Sequence, residues 1–311
     1  MEKQLLITGA NGFVGSFLCR HFQKSAIALS RRPIVNVENR LLDDLMHCQN
    51  KHFENAHTVI HCAVRAHVLK EKAAHPKQAF MRENVFVLKP VIENAIQARI
   101  QHFVCLSSAK VYGEKSNNPQ GFAENAELFP QDDFALSKVL AEELLQQYQN
   151  DLKITIVRLP LLYGKNPKAH WAMLLNAIER GLPLPFGKIK NNERSFLALD
   201  NFADFLEKIV LKSNDDENFH PNLNIWNVCD GENLSTFSLL EKLGNACQKP
   251  AKLLPFPPKI LRIVAKLAHQ EKRLALLENS FVLNIQKAKQ AGWQAPLSVD
   301  AAFQKYFSLQ N

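Results

Sequence analysis

The chain has 311 residues, 46% hydrophobic and 22% charged, enough apolar material to bury a sizeable core in one large or two modest domains. Its 38 Lys and Arg against 30 Asp and Glu leave a formal charge of +8, but the cations are scattered through predicted helices and loops without a recognised nucleic-acid motif, so the expected partner is an anionic small molecule rather than nucleic acid. No apolar run approaches a membrane span and Met1-Glu2-Lys3 leads into a strand without a signal-peptide pattern, which argues against stable membrane insertion and for the cytoplasm.

The first predicted strand, Leu5 to Thr8, opens into Thr8-Gly9-Ala10-Asn11-Gly12-Phe13-Val14-Gly15. Three glycines at that spacing form a strand-to-helix turn whose missing side chains let the backbone approach a pyrophosphate, while the helix N-terminus supplies N–H groups and partial positive charge. A dinucleotide is therefore the expected ligand, with Gly9, Asn11, Gly12, Phe13, Val14 and Gly15 around it. Glycines also mark ordinary tight turns; the strand before and the helix after give the pattern its weight.

The second strand, Ala26 to Ser30, ends in Ser30-Arg31-Arg32. NAD-selective sites place an acid there, about 20 residues after the first glycine, to bind the ribose 2′-hydroxyl. Here no acid stands at that point, and Ser30, Arg31 and Arg32 can offer a 2′-phosphate charge-assisted hydrogen bonds. NADP(H) is favoured over NAD(H); the alternative is that both arginines are solvated loop charges.

Further strands are predicted at Thr58 to Ala63, Phe103 to Ser107 and Ile154 to Arg158, alternating with helical patterns, which argues for a parallel sheet covered on both faces. Beyond Gly164 frequent prolines, among them Pro167, Pro183 and Pro185, break the chain into shorter pieces. The expected architecture is α/β: a Rossmann-type doubly wound parallel sheet over residues 1–164, with parts of 195–230, and a smaller C-terminal substrate lobe over 165–311. Ser213 to Asn218 reads as a short polar loop. Lys259 to Leu267 has helical spacing with basic residues and reads as a core-packed surface helix rather than a membrane contact. Six cysteines, none in a CxxC pair, are expected as small buried hydrophobes, with neither a metal site nor a disulfide framework indicated. His61 and His67 are expected to pack or lie in loops rather than bind metal.

The order of Asp43-Asp44, Thr58-Val59-Ile60-His61-Cys62-Ala63, Phe103-Val104-Cys105-Leu106-Ser107-Ser108-Ala109-Lys110-Val111-Tyr112-Gly113, Phe134-Ala135-Leu136-Ser137-Lys138, Arg158-Leu159-Pro160, Glu193-Arg194-Ser195-Phe196 and Ala291-Gly292-Trp293 resembles the extended short-chain dehydrogenase/reductases of the NAD-dependent epimerase/dehydratase family over almost the whole chain. Those enzymes act on nucleotide-linked sugars. The segment from His61 to Val68, Lys110 and the run Arg180 to Gly187 are most similar to UDP-N-acetylquinovosamine dehydrogenases (4-keto reductases) and UDP-hexose 4-epimerases.

The resemblance implies a reaction at C4 of a UDP-linked N-acetylhexosamine, or its 4-keto-6-deoxy form, in surface-glycan precursor synthesis. It assigns Asp43 and Ala63 to the cofactor, Arg65 and Lys110 to the substrate, and Arg194 to the UDP diphosphate, with Lys168 and Arg262 as weaker candidates. The alternative for Arg194 is a pairing with Glu193 or Asp200. Ser108 matches the family serine and Lys138 the lysine of Tyr-x-x-x-Lys; Phe134 stands in the tyrosine position.

In the family, that tyrosine exchanges the carbonyl proton while the lysine, on the same helix face, lowers its pKa. A phenyl ring cannot transfer a proton, and losing a positioned acid costs on the order of 10²–10⁴ in rate. Three accounts stay open: a substitution made to trap a complex, a natural pseudoenzyme, or recruitment of another acid such as Ser108, Lys110, Tyr112 or water. Asn84-Val85 also lacks the Gly-Thr usual after that Asn, and His170 stands where relatives often carry Asn. A reductase consuming NADPH is favoured over an epimerase with tightly bound NAD, and a non-catalytic dinucleotide sensor is the rival of another class. A homodimer through the helices near Asn84 to Arg99 and Phe134 to Tyr148 is implied by the resemblance.

Overall fold

The computed structural model describes residues 4–66, 74–167, 170–212 and 222–308; His67, Lys168, Ser213 to Asn218 and the side chain of His170 lie outside them. The chain forms two compact units, the first holding residues 1–113, 127–159 and 205–227 and the second 114–126, 160–204 and 228–311. The chain thus passes between the two units several times.

In chain order the strands are β1 Leu5–Thr8, β2 Ala26–Ser30, β3 Glu38–Leu41, β4 Thr58–His61, β5 His102–Ser108, β6 Lys153–Leu159, β7 Leu161–Tyr163, β8 Arg194–Ala198, β9 Leu223–Asn227 and β10 Asn233–Leu234. The helices are α1 Phe13–Phe22, α2 Pro76–Met81, α3 Leu88–Gln97, α4 Asp133–Gln146, α5 His170–Glu179, α6 Leu199–Phe205, α7 Thr236–Ala246, α8 Pro258–Leu267, α9 Glu271–Glu278, α10 Gln286–Gln290 and α11 Val299–Phe307. Among the described residues no helix is long and apolar enough to cross a membrane.

The first unit is built on a seven-stranded sheet of order β3-β2-β1-β4-β5-β6-β9, every pairing parallel. Strand order reverses between β1 and β4, so the turn after Thr8 leaves the sheet at its switch point, the place where open α/β sheets bind ligands. β1, β2 and β4 are buried along their full length, which is why they are continuous apolar runs. Leu6, Ile27, Val59 and Phe103 from the strands meet Val91 and Ile92 of α3 in one core.

Three strands differ from their predicted bounds. β4 stops at His61 rather than Ala63, because the Ala63 N–H turns to the Thr8 hydroxyl (3.3 Å). β5 and β6 each extend one residue further at both ends. β3 and β9 complete the sheet without a predicted counterpart. β3 is a polar, partly exposed edge strand whose Asn39 side chain bonds the backbone of Ile34 and Val37.

In the second unit β8 lies between β7 and β10. Its core is aromatic: Tyr163, Trp171, Phe196, Phe303 and Phe307 pack together. The Tyr163 hydroxyl donates to Asp230 Oδ2 (2.6 Å), while Asp230 Oδ1 accepts from the Ala198 N–H and the Asn201 amide. Trp293 is buried and donates its indole N–H to Asp204 (2.9 Å). α8 is a surface helix that packs Leu261 and Ala265 into a small core cluster with Ile189 and Leu274 and leaves most of its other residues exposed. All six cysteines are free thiols, five of them buried.

Candidate active site

The glycine turn is shaped by backbone contacts that leave no room for side chains. Gly9 has φ +63°, and a Cβ there would lie 2.6 Å from Ala63 N and Cα. A Cβ on Gly15 would lie 2.4 Å from the Gly9 carbonyl oxygen, which already accepts from the Gly12 N–H at 2.8 Å. Gly12 starts α1 without a side-chain cap, leaving the first-turn N–H groups and the positive helix end facing outward.

Asn11 ties this turn to the end of β2: its amide donates to the Arg32 carbonyl (2.9 Å) and its oxygen accepts from the Arg32 N–H (3.0 Å). The Ser30 hydroxyl donates to the same carbonyl (2.7 Å). The Arg31 and Arg32 side chains remain exposed. A cradle that a Cβ would fill, next to two exposed guanidiniums, fits a dinucleotide.

Of the paired acids, Asp44 has structural work. It accepts from the Met46 N–H (3.0 Å) and pairs with Arg82, and these contacts hold its carboxyl below the usual range. Asp43 is exposed. Beneath the turn, His61 Nδ1 bonds the Thr8 hydroxyl (2.9 Å); burial, with the Lys138 charge second, pushes its pKa down to about 3, so the ring is neutral. His61 is a packing residue, as expected.

Ser108 ends β5 and caps the short turn Ala109–Tyr112, its Oγ accepting from the Lys110 N–H (3.3 Å). α4 begins at an Asp132 cap that accepts from the Ala135 N–H (2.7 Å), and this places Phe134 and Lys138 one turn apart on a buried face. Lys138 is only 3% exposed, and its ammonium donates to the Leu106 carbonyl (2.7 Å), two residues before Ser108. Phe134 is 9% exposed and packs edge-on against Phe80, ring centroids 6.0 Å apart.

Asn84, despite its altered neighbours, links three segments. Its amide donates to Ser137 Oγ (2.9 Å), which donates to the Phe134 carbonyl (2.7 Å), while Asn84 Oδ1 accepts from the Arg65 N–H (2.7 Å).

Two of the substitutes for the missing acid are occupied. Tyr112 is buried, donates to Asn227 Oδ1 (2.9 Å) and accepts from Arg158 Nη1 (2.8 Å), so its proton is already engaged within the protein. Lys110 pairs with Asp132. The half-buried Ser108 hydroxyl is left.

Behind this face Arg158 and Glu142 form a buried ion pair (2.6 Å), to which Ser107 adds a hydrogen bond. Burial alone favours the neutral guanidine, yet the Glu142 carboxylate outweighs it and holds the Arg158 pKa above its ordinary value.

Of the substrate candidates, Arg65 bonds Glu83 (2.9 Å) and lies over Phe80. Arg194 donates to the Asn279 carbonyl (3.1 Å) and lies over Phe281. Burial lowers its pKa to about 10, with Glu114 opposing the shift, and among the described residues neither Glu193 nor Asp200 forms an ion pair with it. A desolvated cation of this kind favours an anionic partner. Arg262 is paired with Glu278 (2.9 Å).

Three comparisons bear on this arrangement. Residues 5–229 match the profile of the NAD dependent epimerase/dehydratase family. A UDP-glucose 4-epimerase of Vibrio cholerae is 30% identical over 322 aligned residues, covering 98% of this chain and 94% of that one. The fold is shared with a UDP-N-acetylglucosamine 4-epimerase from Bacillus cereus (TM-score 0.76, 17% identity, 98% of both chains). It is also shared with a UDP-glucuronic acid 4-epimerase from the same organism in complex with NAD (TM-score 0.75, 18% identity, 98% and 97%). With the parallel sheet, the glycine turn at its switch point and Lys138 bonded to the strand that ends in Ser108, these matches place the chain in the NAD dependent epimerase/dehydratase family of enzymes.

Proposed function

We propose that this chain is a nucleotide-sugar oxidoreductase that favours NADP(H) and acts at C4 of a UDP-linked N-acetylhexosamine or its 4-keto-6-deoxy form. The observation that carries the reading is Lys138, a buried ammonium fixed to the Leu106 carbonyl on the strand that ends in Ser108, in a chain whose glycine turn is closed to side chains.

Gly9, Gly12, Gly15, Asn11, Phe13, Val14 and Ala63 would hold the dinucleotide, with Ser30, Arg31 and Arg32 toward the 2′-phosphate, Asp43 toward the adenine and Lys138 toward the nicotinamide ribose. When bound, the nicotinamide supplies or accepts a hydride. The chain's own residues bind, orient and handle the proton. Arg194 is the cation for the UDP diphosphate, Arg65 and Lys110 bind the sugar nucleotide, and Ser108 hydrogen-bonds the oxygen on C4. Phe134 shapes the sugar pocket without exchanging its proton, so the proton passes through the Ser108 hydroxyl or water, and turnover is slow. The chain forms a homodimer through the α3 and α4 faces in the same reading.

Phe134 also supports a second reading, a dinucleotide-binding sensor without turnover, and the Vibrio cholerae relative supports 4-epimerisation with retained NAD. Absorbance of the purified protein together with calorimetric titration separates them. NADPH is expected to bind more tightly than NADH, and Arg31→Ala with Arg32→Ala to narrow the gap, since charged hydrogen bonds contribute roughly 1.5–3 kcal/mol each. Equal affinities, unchanged in the double variant, contradict the NADP(H) reading; co-purified NAD supports the epimerase; binding without turnover of any UDP-sugar supports the sensor.

A further inference from the structure

Helix α8 divides its surface into three sectors. At about 100° per residue, Leu261 and Ala265 face one way and are buried, packing with Ile189 and Leu274. Arg262, Lys266 and Lys259 fill the adjoining sector and are exposed. Ile260, Ile263, Val264 and Leu267 fill the third, each 46–79% exposed. The approach to the helix adds Leu254 and Phe256, 39% and 42% exposed. A single exposed leucine needs no explanation, but six large apolar side chains within residues 254–267 form a surface that water disfavours.

Charge decides what covers it. Residues 249–273 hold seven Lys or Arg against the single acid Glu271, a net +6 out of the +8 carried by the whole chain. Arg262 is engaged by Glu278, while Lys259 and Lys266 are exposed beside the apolar sector. A second copy brought to this face by a two-fold axis would set two such cationic segments against each other. A helix of 10 residues, about 15 Å long, is too short to span a bilayer. Apolar and basic sectors side by side on one short helix match an interface between acyl chains and anionic headgroups.

We infer that α8 seats the protein on an anionic lipid surface, with Ile260, Ile263, Val264 and Leu267 at the acyl boundary and Lys259 and Lys266 among the headgroups. The inference does not depend on the sugar chemistry. The test is co-sedimentation of the full chain with phosphatidylcholine vesicles, with and without about 30% phosphatidylglycerol, at low and high salt. The protein is expected to partition onto the anionic vesicles and to leave them at high salt. Lys259→Gln with Lys266→Gln is expected to lower partitioning about fivefold per charge removed, and Ile263→Glu with Leu267→Glu to abolish it. All four positions are exposed, so melting temperature should be unchanged in both variants. The inference is overturned if the parent chain stays in solution with anionic vesicles, or if the glutamate variant partitions as well as the parent. It is equally overturned if the parent is an oligomer that ignores vesicles and becomes monomeric in that variant, because a second copy then covers the face.

Discussion

Alanine at Gly15 sets two effects of opposite sign against each other. Gly15 lies inside α1, where replacing glycine by alanine ordinarily stabilises a helix by roughly 0.5–1 kcal/mol. Here the new Cβ would meet the Gly9 carbonyl oxygen at 2.4 Å and Gly9 C and Ala10 Cα at 2.9 Å, all backbone atoms that cannot rotate away. Relief requires the turn to move by roughly 1 Å, and overpacking of this kind costs about 1–3 kcal/mol. The clash therefore wins, leaving Gly15→Ala less stable than the parent by about 1–2 kcal/mol in urea unfolding. Because the displaced group is the cradle itself, cofactor affinity in calorimetric titration is expected to fall by ~10-fold or more, as misplacements of about 1 Å in positioned groups do. Gly292→Ala is the control: its φ of +83° strains any side chain, but nothing lies within 4 Å of a Cβ there, so stability falls while cofactor affinity holds. A Gly15→Ala protein as stable as the parent and with unchanged cofactor affinity would refute the reasoning.

Two further outcomes follow from the buried polar groups of the first unit. Glu142→Gln leaves the Arg158 guanidinium buried without its counter-charge and is expected to cost about 3–5 kcal/mol in urea unfolding, most of it recovered by adding Arg158→Met; a loss below ~1 kcal/mol contradicts the ion pair's role. His61 titrates near 6.5 when unfolded but at about 3 when folded, so the unfolded chain takes up its proton first. Its contribution is complete above about pH 6.5 and fades as pH falls toward the folded value, at up to ~1.4 kcal/mol per pH unit, and His61→Asn should remove about one proton from the slope measured between about pH 6 and 4.5. An unchanged slope would show that His61 is not buried as a neutral ring.

Legibility in the sequence followed burial. β1 and β2 could be read to the residue because strands covered on both faces are unbroken apolar runs. β3, with Glu38, Asn39 and Arg40, carries no such run because an edge strand needs no apolar cover. β9 is a strand of the first unit that lies far along the chain, and no local pattern tells which sheet a strand will join. At the site, Gly9 was legible from the glycine spacing, and Ser108, Phe134 and Lys138 only through the family resemblance, which the sequence carries because these residues stand at a strand end or within one helical turn of each other. The link from Asn84 to Ser137 and the pairing of Arg158 with Glu142 were not, because the folded chain chooses those partners across long separations. Tyr112, open as a substitute acid in the sequence, is closed by its bond to Asn227.

Restoring the hydroxyl at position 134 tests the central claim most directly. Phe134→Tyr adds one oxygen to a ring that is 9% exposed and one turn from the Lys138 ammonium, so the fold should hold. NADPH-dependent reduction of a UDP-4-keto sugar, or UDP-hexosamine epimerisation with NAD, is expected to rise ~10²-fold or more, the size of general acid catalysis. Adding Lys138→Ala should abolish most of the gain as the phenol returns toward a pKa of about 10. A tyrosine variant that folds and binds both cofactor and UDP, yet stays as inert as the parent across a panel of UDP-sugars, would contradict the enzyme reading and leave the sensor in its place.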